Sequence, residues 1–307
     1  MELKRAATDE TVVSIVQAPA DPLAAGNSTL AIVNGAVLPI EQARISLANP
    51  ALLGAFGVYE SIEVIGGVAF HLEDHLARLA DSARMLDLEL PCRMDELAGW
   101  VRHLMVANAR ADSFLRVVAW GDARNGDESV VAVLPQARPR YAEAFYRVGA
   151  PAVTFEGCRF MPACKSLNTL VNYLARRKAV RAGVLEGILY TDGQLTEGAR
   201  SNLFVVRRGQ LQTPPTDRTL SGITREVVLR LARAAGHRVA EVPIYLADWD
   251  EFEECFLTST SMHIVPVVRI DGRAIGQGEV GPMTRDLMER FAQYHASYLA
   301  DQQTRIG

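Results

Sequence analysis

Hydrophobic and polar positions change period several times along the chain, and each change marks an element. "LAIVNGAVLP" places Asn34-Gly35 between two apolar runs, which predicts a two-residue hairpin. "VYESIEVIGGVAFHL" repeats the pattern around Gly66-Gly67. From Leu72 the spacing becomes helical, with Leu72, Leu76, Leu79, Ala83 and Leu86 on one face. A second helix is expected over about Met94 to Arg110, followed by two strands, "SFLRVVAW" and "ESVVAVLP", around the polar loop Gly121 to Asp127.

"QARPRY", Gln136 to Tyr141, reads as a linker. Beyond it the pattern predicts a strand from Val148 to Phe155, and a helix marked by Leu167, Leu170, Val171, Leu174, Ala175 and Ala179, stopped at Gly183. Hairpin-like stretches follow, with turns at Asp192-Gly193 and Arg208-Gly209. A helix opens near Ser221-Gly222, a strand over "ECFLTSTSMHIVPVVRIDG" is interrupted by hydroxyl residues, and a last helix runs from about Pro282 to Ala300. The expectation is an α+β chain of two domains: an extension over 1–28, a smaller α+β domain over 29–138, and a larger cofactor-binding domain over 139–307.

Composition narrows the class. The 307 residues are 49% hydrophobic and 22% charged, which excludes a disordered chain. The net charge of -4 leaves no electrostatic footprint for nucleic acid. No segment reaches the roughly 18 apolar residues of a spanning helix, and the N-terminus lacks a signal-peptide pattern, so the expected location is cytoplasmic. Cys92, Cys158, Cys164 and Cys255 are widely spaced and read as free buried thiols. The six histidines form no metal pattern, and no metal is expected; His71 and His75 read as a solvated face of the first helix.

Four places carry candidate chemistry. Lys165 in "ACKSLN" has small or apolar neighbours; such a lysine is either an ordinary surface residue or, if poorly solvated, an amine nucleophile. Glu197 in "TEGARSN" precedes a glycine at a strand end, as a solvated turn residue or as a carboxylate facing a cofactor nitrogen. "LSGITRE" opens a helix whose free amides favour a phosphate, though a plain N-cap explains it as well. "TSTS", Thr258 to Ser261, offers hydroxyls and amides for an anion, or is a solvated turn.

Their order adds what no single motif gives. "GVYE" (57–60), "LEDHLARLADSA" (72–83), "KSLN" (165–168), "TEGARSNLF" (196–204), "LSGITRE" (220–226) and "VGPMTRDL" (280–287) together resemble the class IV pyridoxal-phosphate aminotransferases. That family includes branched-chain aminotransferases, D-amino acid transaminases, (R)-amine transaminases and aminodeoxychorismate lyase. The resemblance implies a two-domain fold with a β-barrel-like core in the larger domain, pyridoxal 5'-phosphate as cofactor, and a homodimer whose pocket is shared between chains. It implies transamination between an amino donor and a 2-oxo acid, with lyase chemistry as the alternative.

Carried over position by position, Lys165 stands where the family forms its Schiff base, and Glu197 where a carboxylate faces the pyridine nitrogen. Arg78, Ile223, Thr224 and Thr260 match the phosphate ligands, and Leu220 the side chain packed on the ring. Ser261 and Met262 supply amides for a substrate carboxylate. Two departures concern the substrate. Leu170 replaces the tyrosine that branched-chain enzymes carry, and the arginine–histidine pair of the D-amino acid enzymes is missing, with Arg124 as its possible substitute. Glu63 stands where a basic residue is usual, either as an exposed strand residue or as an acid on the pocket wall that attracts an amine.

Overall fold

Asn34 and Gly35 lie at φ +45° and +82°, and Asp192 and Gly193 at +50° and +75°. Both pairs are two-residue turns with left-handed φ at each position, whose twist matches that of the strands they join. Around such turns the computed structural model builds two sheets; it describes residues 29–47, 49–109, 112–121 and 129–306. The extension over 1–28, the loop over 122–128 and Arg124 within it lie outside the described residues.

The first sheet comes from β1 (Leu30–Val33), β2 (Ala36–Pro39), β3 (Gly57–Ile65), β4 (Val68–Ala69), β5 (Ser113–Trp120) and β6 (Val130–Gln136). The order is β2-β1-β6-β5-β3-β4, antiparallel throughout. Three helices accompany it, α1 (Pro50–Gly54), α2 (Leu72–Met85) and α3 (Met94–Ala107). The stripe read from the sequence is the buried face of α2: Leu72, Leu76, Leu79 and Ala83 pack against Val58, Ile62 and Val117 of the sheet. Fully burying one such leucine stabilises by about 1.5–3 kcal/mol. His75 belongs to this buried face rather than to a solvated one. The apolar run from Ala51 to Tyr59 is not one element. Asn49 caps α1 by accepting from the Ala51 amide, Ala55 ends it with φ +47°, and the strand begins at Gly57.

The second half adds α4 (Glu143–Val148), β7 (Ala150–Glu156), α5 (Leu170–Ala182), β8 (Glu186–Thr191), β9 (Gln194–Gly198), β10 (Asn202–Arg207), β11 (Gln210–Thr213), α6 (Ile223–Ala234), β12 (Val239–Glu241), β13 (Ile244–Tyr245), β14 (Glu254–Ser259), β15 (His263–Ile270), β16 (Arg273–Ala274) and α7 (Pro282–Ile306). The expected linker, Gln136 to Tyr141, is followed by a short helix, Glu143–Val148, and the strand expected from Val148 begins at Ala150. The last helix runs six residues beyond the expected Ala300. Ten strands make one sheet, and the path β10-β14-β15-β7-β8-β9 returns to β10 through the pairing of Asn202 with Glu197. A six-stranded barrel is thereby closed, and Glu197 sits on its seam.

The two sheets are joined by packing and charge. Phe70, at the end of the β3–β4 hairpin, packs against Phe291, Tyr294 and Tyr298 of α7. Glu63 of β3 meets residues of β15 and α7, as described below. Among the described residues no helix is long and apolar enough to cross a membrane. All four cysteines are free; Cys164 and Cys255 are buried, but Cys158 is exposed, so the expectation of buried thiols fails there.

Candidate active site

Lys165 is held by the first sheet although it follows β7 in sequence. The Tyr59 amide donates to the Lys165 carbonyl at 3.0 Å, the Leu167 amide to the Gly57 carbonyl at 2.8 Å, and Val58 bridges to Ser166. The lysine segment thus runs as a short extra strand beside "GVYE". Gly57 permits the approach, because a Cβ there would lie 2.7 Å from Leu167 Cδ1 and closer still to the Ala119 carbonyl. The Lys165 amide in turn donates to Ser82 Oγ of α2 at 3.1 Å.

The Lys165 Nζ lies 4.7 Å from the centre of the Tyr59 ring and makes no ion pair among the described residues. Burial lowers the pKa of its amine; Tyr59 and Glu60 oppose this, while the positive charges of Arg78 and Arg159 add to it. Desolvation with cationic neighbours shifts a lysine toward its free-amine, nucleophilic form.

Arg78 reaches the start of α6. Its Nη1 donates to the Ser221 carbonyl at 2.7 Å, while Nε and Nη2 grip Glu60 side-on at 2.7 and 2.8 Å. His75 Nδ1 lies 2.7 Å from the same carboxylate. Burial alone would raise the Glu60 carboxyl, but Arg78 and His75 outweigh it and hold it well below the ordinary carboxylate range. Burial, only partly offset by Glu60, pushes the His75 imidazole down. The sequence reading passed over both residues as site components, although "GVYE" and the i, i+3 spacing of His75 and Arg78 were the available signal.

The helix that Arg78 approaches has Gly222 as N-cap and no side-chain cap. Ile223 and Thr224 open it, Thr224 buried, and with no side-chain cap the first-turn amides and the helix dipole are left to an anion next to Ser221, which Arg78 holds. Gly222 packs against Asn202, whose Nδ2 donates to Thr219 Oγ1 at 3.1 Å and to the Leu220 carbonyl at 2.7 Å.

Glu197 closes the other end. Its Oε1 accepts from Arg159 Nε at 2.6 Å, and its Oε2 from Thr219 Oγ1 at 2.9 Å and the Leu220 amide at 3.1 Å. A carboxylate offers about four acceptor positions, so three bonds leave capacity for one further donor. Arg159 also donates to the carbonyls of Cys164, at 2.9 Å, and Pro162. It lies six residues before Lys165 in an irregular stretch, where no periodicity flagged it.

The hydroxyl turn lies in the same row of the barrel, since Asn202 pairs with Glu197 on one side and with Thr258 on the other. Thr260 and Ser261 are both half-buried in that turn. Met262 departs from expectation: its amide donates to Ser259 Oγ at 3.1 Å and so is engaged within the turn. Ser261 Oγ lies 3.0 Å from the Tyr141 hydroxyl, which the sequence reading left in the linker.

Glu63 is neither exposed nor a free acid on the pocket wall. It is buried, with Oε1 accepting from Arg138 at 3.0 Å and Oε2 within 3.0 Å of both His263 Nε2 and His295 Nε2. These partners lie up to 232 positions away, beyond any local pattern. Glu63, His263 and His295 have a spacing that could hold a metal ion. The Arg138 guanidinium already compensates the carboxylate and would repel a cation, so the cluster reads as an ion-pair network joining the two halves. Leu170, in place of the expected tyrosine, is exposed at the start of α5.

The set presents a half-buried amine without an ion pair among the described residues, an arginine beside a helix start with no side-chain cap, and a carboxylate with an acceptor position to spare. This donor set fits a phosphorylated pyridine aldehyde: a dianion, a carbonyl and a basic ring nitrogen. Comparison with known proteins agrees. The sequence family described as amino-transferase class IV matches residues 57–270. The chain belongs to the class IV aminotransferases, which are pyridoxal-phosphate-dependent enzymes. It is 36% identical over 274 residues to a putative branched-chain-amino-acid aminotransferase of Methanocaldococcus jannaschii, covering 84% of this chain and 94% of that one. It is 31% identical to the D-alanine aminotransferase of Bacillus licheniformis, covering 83% and 93%. A branched-chain amino acid aminotransferase from T.th., solved with pyridoxamine 5'-phosphate, superposes with a TM-score of 0.81 at 29% identity, over 88% of this chain and 94% of that one. Nothing in these similarities favours the lyase alternative.

Proposed function

We propose that this aminotransferase moves an amino group from a monocarboxylate amino acid to a 2-oxo acid such as pyruvate or 2-oxoglutarate, with Lys165 joined to the cofactor as a Schiff base. The observation that carries this reading is the half-buried Lys165 amine, free of any ion pair among the described residues, with the charges of Arg78 and Arg159 acting on it and Arg159 paired to the Glu197 carboxylate. When bound, pyridoxal phosphate supplies the electron sink that lets a proton leave the substrate Cα. Lys165 would be the group that takes that proton and returns it, for which a lowered amine pKa is suited. Glu197 would accept from the protonated ring nitrogen. Arg78 and the amides of Ile223 and Thr224 would hold the phosphate, with Thr260 as a hydroxyl donor and Leu220 against the ring.

The donor class is supported by the relatives' names, branched-chain and D-alanine aminotransferases, and by Leu170 where a strict branched-chain enzyme carries tyrosine. We further propose two folding units over 29–138 and 139–307, a cytoplasmic location, and a homodimer. Exposed Leu53, Phe160, Leu170 and Tyr173 support the dimer, since large apolar side chains left in water favour a partner surface. The test is a panel of D- and L-amino acids and amines with one 2-oxo acid, alongside the Lys165→Ala variant. The wild type should show a visible absorption band that borohydride bleaches, and the variant should lose both band and turnover. A colourless, fully active wild type would overturn the reading.

A further inference from the structure

Ala199 stands two residues after Glu197, in the turn that returns the chain to β10 at Asn202. It is buried, and both of its backbone groups are satisfied from outside the turn. Its amide donates to the Gly187 carbonyl of β8 at 2.8 Å. Its carbonyl accepts from Asn172 Nδ2 of α5 at 2.9 Å. A carbonyl can only accept, so the contact fixes which end of the Asn172 amide faces the turn. The other end, Oδ1, is buried and has no partner among the described residues, so the bond to Ala199 is what holds this side chain. Without it a buried backbone carbonyl would lose its donor, which the turn could restore only by moving.

The helix that carries Asn172 is itself fixed. Its backbone lies directly on β8, where a Cβ on Gly187 would sit 2.6 Å from the Ala175 carbonyl. Ala175 also shares a buried cluster with Ala199 and Leu189. The same helix opens five residues after Lys165, and Asn172 lies in its first turn. The residues between are pinned as well: the Leu167 amide donates to the Gly57 carbonyl and the Thr169 amide to the Leu167 carbonyl, each at 2.8 Å. Arg159 ties the residue before Lys165 to the Glu197 carboxylate, and Asn172 ties the helix after Lys165 to the backbone after Glu197. The segments bearing the amine and the carboxylate are therefore held together on both sides.

We propose that Asn172 is a positioning residue, which sets the separation of Lys165 and Glu197 and so holds the two groups at the span of the cofactor ring. This rests on the roles given to those two residues above and takes them further. A bound ring must meet both groups at once, and a displacement of about 1 Å at either end can lower turnover as much as 10²-fold. Asn172 bonds to neither residue, so its loss acts on the rate of the chemistry and not on substrate binding.

The test compares wild-type holoenzyme with Asn172→Asp, Asn172→Leu and Lys178→Met. Asn172→Asp keeps the shape and removes the donor; it remains informative if Asn172→Leu does not fold. Lys178 is the matched control. From the same helix its Nζ donates to the Thr154 carbonyl at 2.7 Å, on β7, a strand that carries none of the site residues. Both Asn172 variants should lose kcat by about tenfold with KM little changed. They should also shift the pH midpoint of the visible band, which follows how the ring nitrogen is held, and speed hydrogen exchange at the Ala199 amide. Lys178→Met should lower the melting temperature and leave kcat, band and exchange at wild-type values. Wild-type kcat and band in the Asn172 variants, an equal loss in Lys178→Met, or a loss confined to KM overturns the proposal. A wild type without the visible band would sink the roles of Lys165 and Glu197 instead, while exchange at Ala199 would still decide whether Asn172 holds the turn.

Discussion

Arg159 Nε donates to Glu197 Oε1 across 2.6 Å, and the same guanidinium donates to the carbonyl of Cys164, the residue before Lys165. One side chain therefore ties the carboxylate on the barrel seam to the segment that presents the amine. Both partners are under 10% exposed. Arg159→Met should destabilise the fold by about 3–5 kcal/mol, the scale for removing one member of a buried pair. Chemical denaturation measures this. Turnover should fall with little change in KM, because the displaced groups act on chemistry rather than on substrate binding.

Glu197→Gln separates charge from shape. The amide can still accept from Thr219 and the Leu220 amide, but it gives Arg159 and the ring nitrogen no negative charge. Cofactor should be retained and turnover lost by roughly 10²-fold or more, as for other single preorganised electrostatic contacts. Stopped-flow half-reactions with alanine would show it, and wild-type rates would remove Glu197 from the role assigned to it.

Gly222 is an N-cap that cannot carry a side chain. A Cβ there would run into Asn202 Oδ1, and Asn202 holds both Thr219 and Leu220, the two residues that also bind Glu197. Gly222→Ala should push this residue row apart, weakening cofactor retention on dialysis by about tenfold, the equivalent of one lost net hydrogen bond. Gly236→Ala is the control, since nothing lies within 4 Å of a Cβ there, although its φ of +81° adds backbone strain.

The two sheets differ in how readable they were. Hairpin turns and the α2 stripe are local, set by left-handed turn residues and a four-three spacing, so the first sheet and its helix followed from the pattern. Lys165, Glu197 and the "LSGITRE" helix start were legible as chemistry because each sits in a distinctive local sequence. What held them was not legible. Arg159 reaches Glu197 over 38 positions, and Glu63 reaches His263 over 200. Such partners are chosen by barrel closure and sheet docking, which leave no periodic trace. The broken run at Ala51 to Tyr59 shows the converse: uniform apolarity suits strand and helix alike, and the Asn49 cap decided between them.

The network around Glu63 makes a prediction about acid stability. Burial alone would raise its carboxyl, but hydrogen bonds from His263 and His295, and the charge of both, outweigh this and lower it from 4.5 to about 2. Arg138 is the remaining charged group facing it. The folded chain therefore binds this proton more weakly than the unfolded chain does. The stability Glu63 contributes is complete above pH 4.5 and is lost as pH falls through about 2. A Gln at this position has no proton to gain. Glu63→Gln should thus be less stable than wild type at neutral pH by about 3 kcal/mol, with the gap closing between pH 4.5 and 2. Urea titrations across that range measure it. Because Glu63 is spent on joining β3 to β15 and α7, the variant should leave the ratio of kcat/KM for a cationic amine and an amino acid unchanged. A selective loss of amine turnover would return Glu63 to the pocket wall, and a constant stability gap at all pH values would show that its charge is not what joins the two halves.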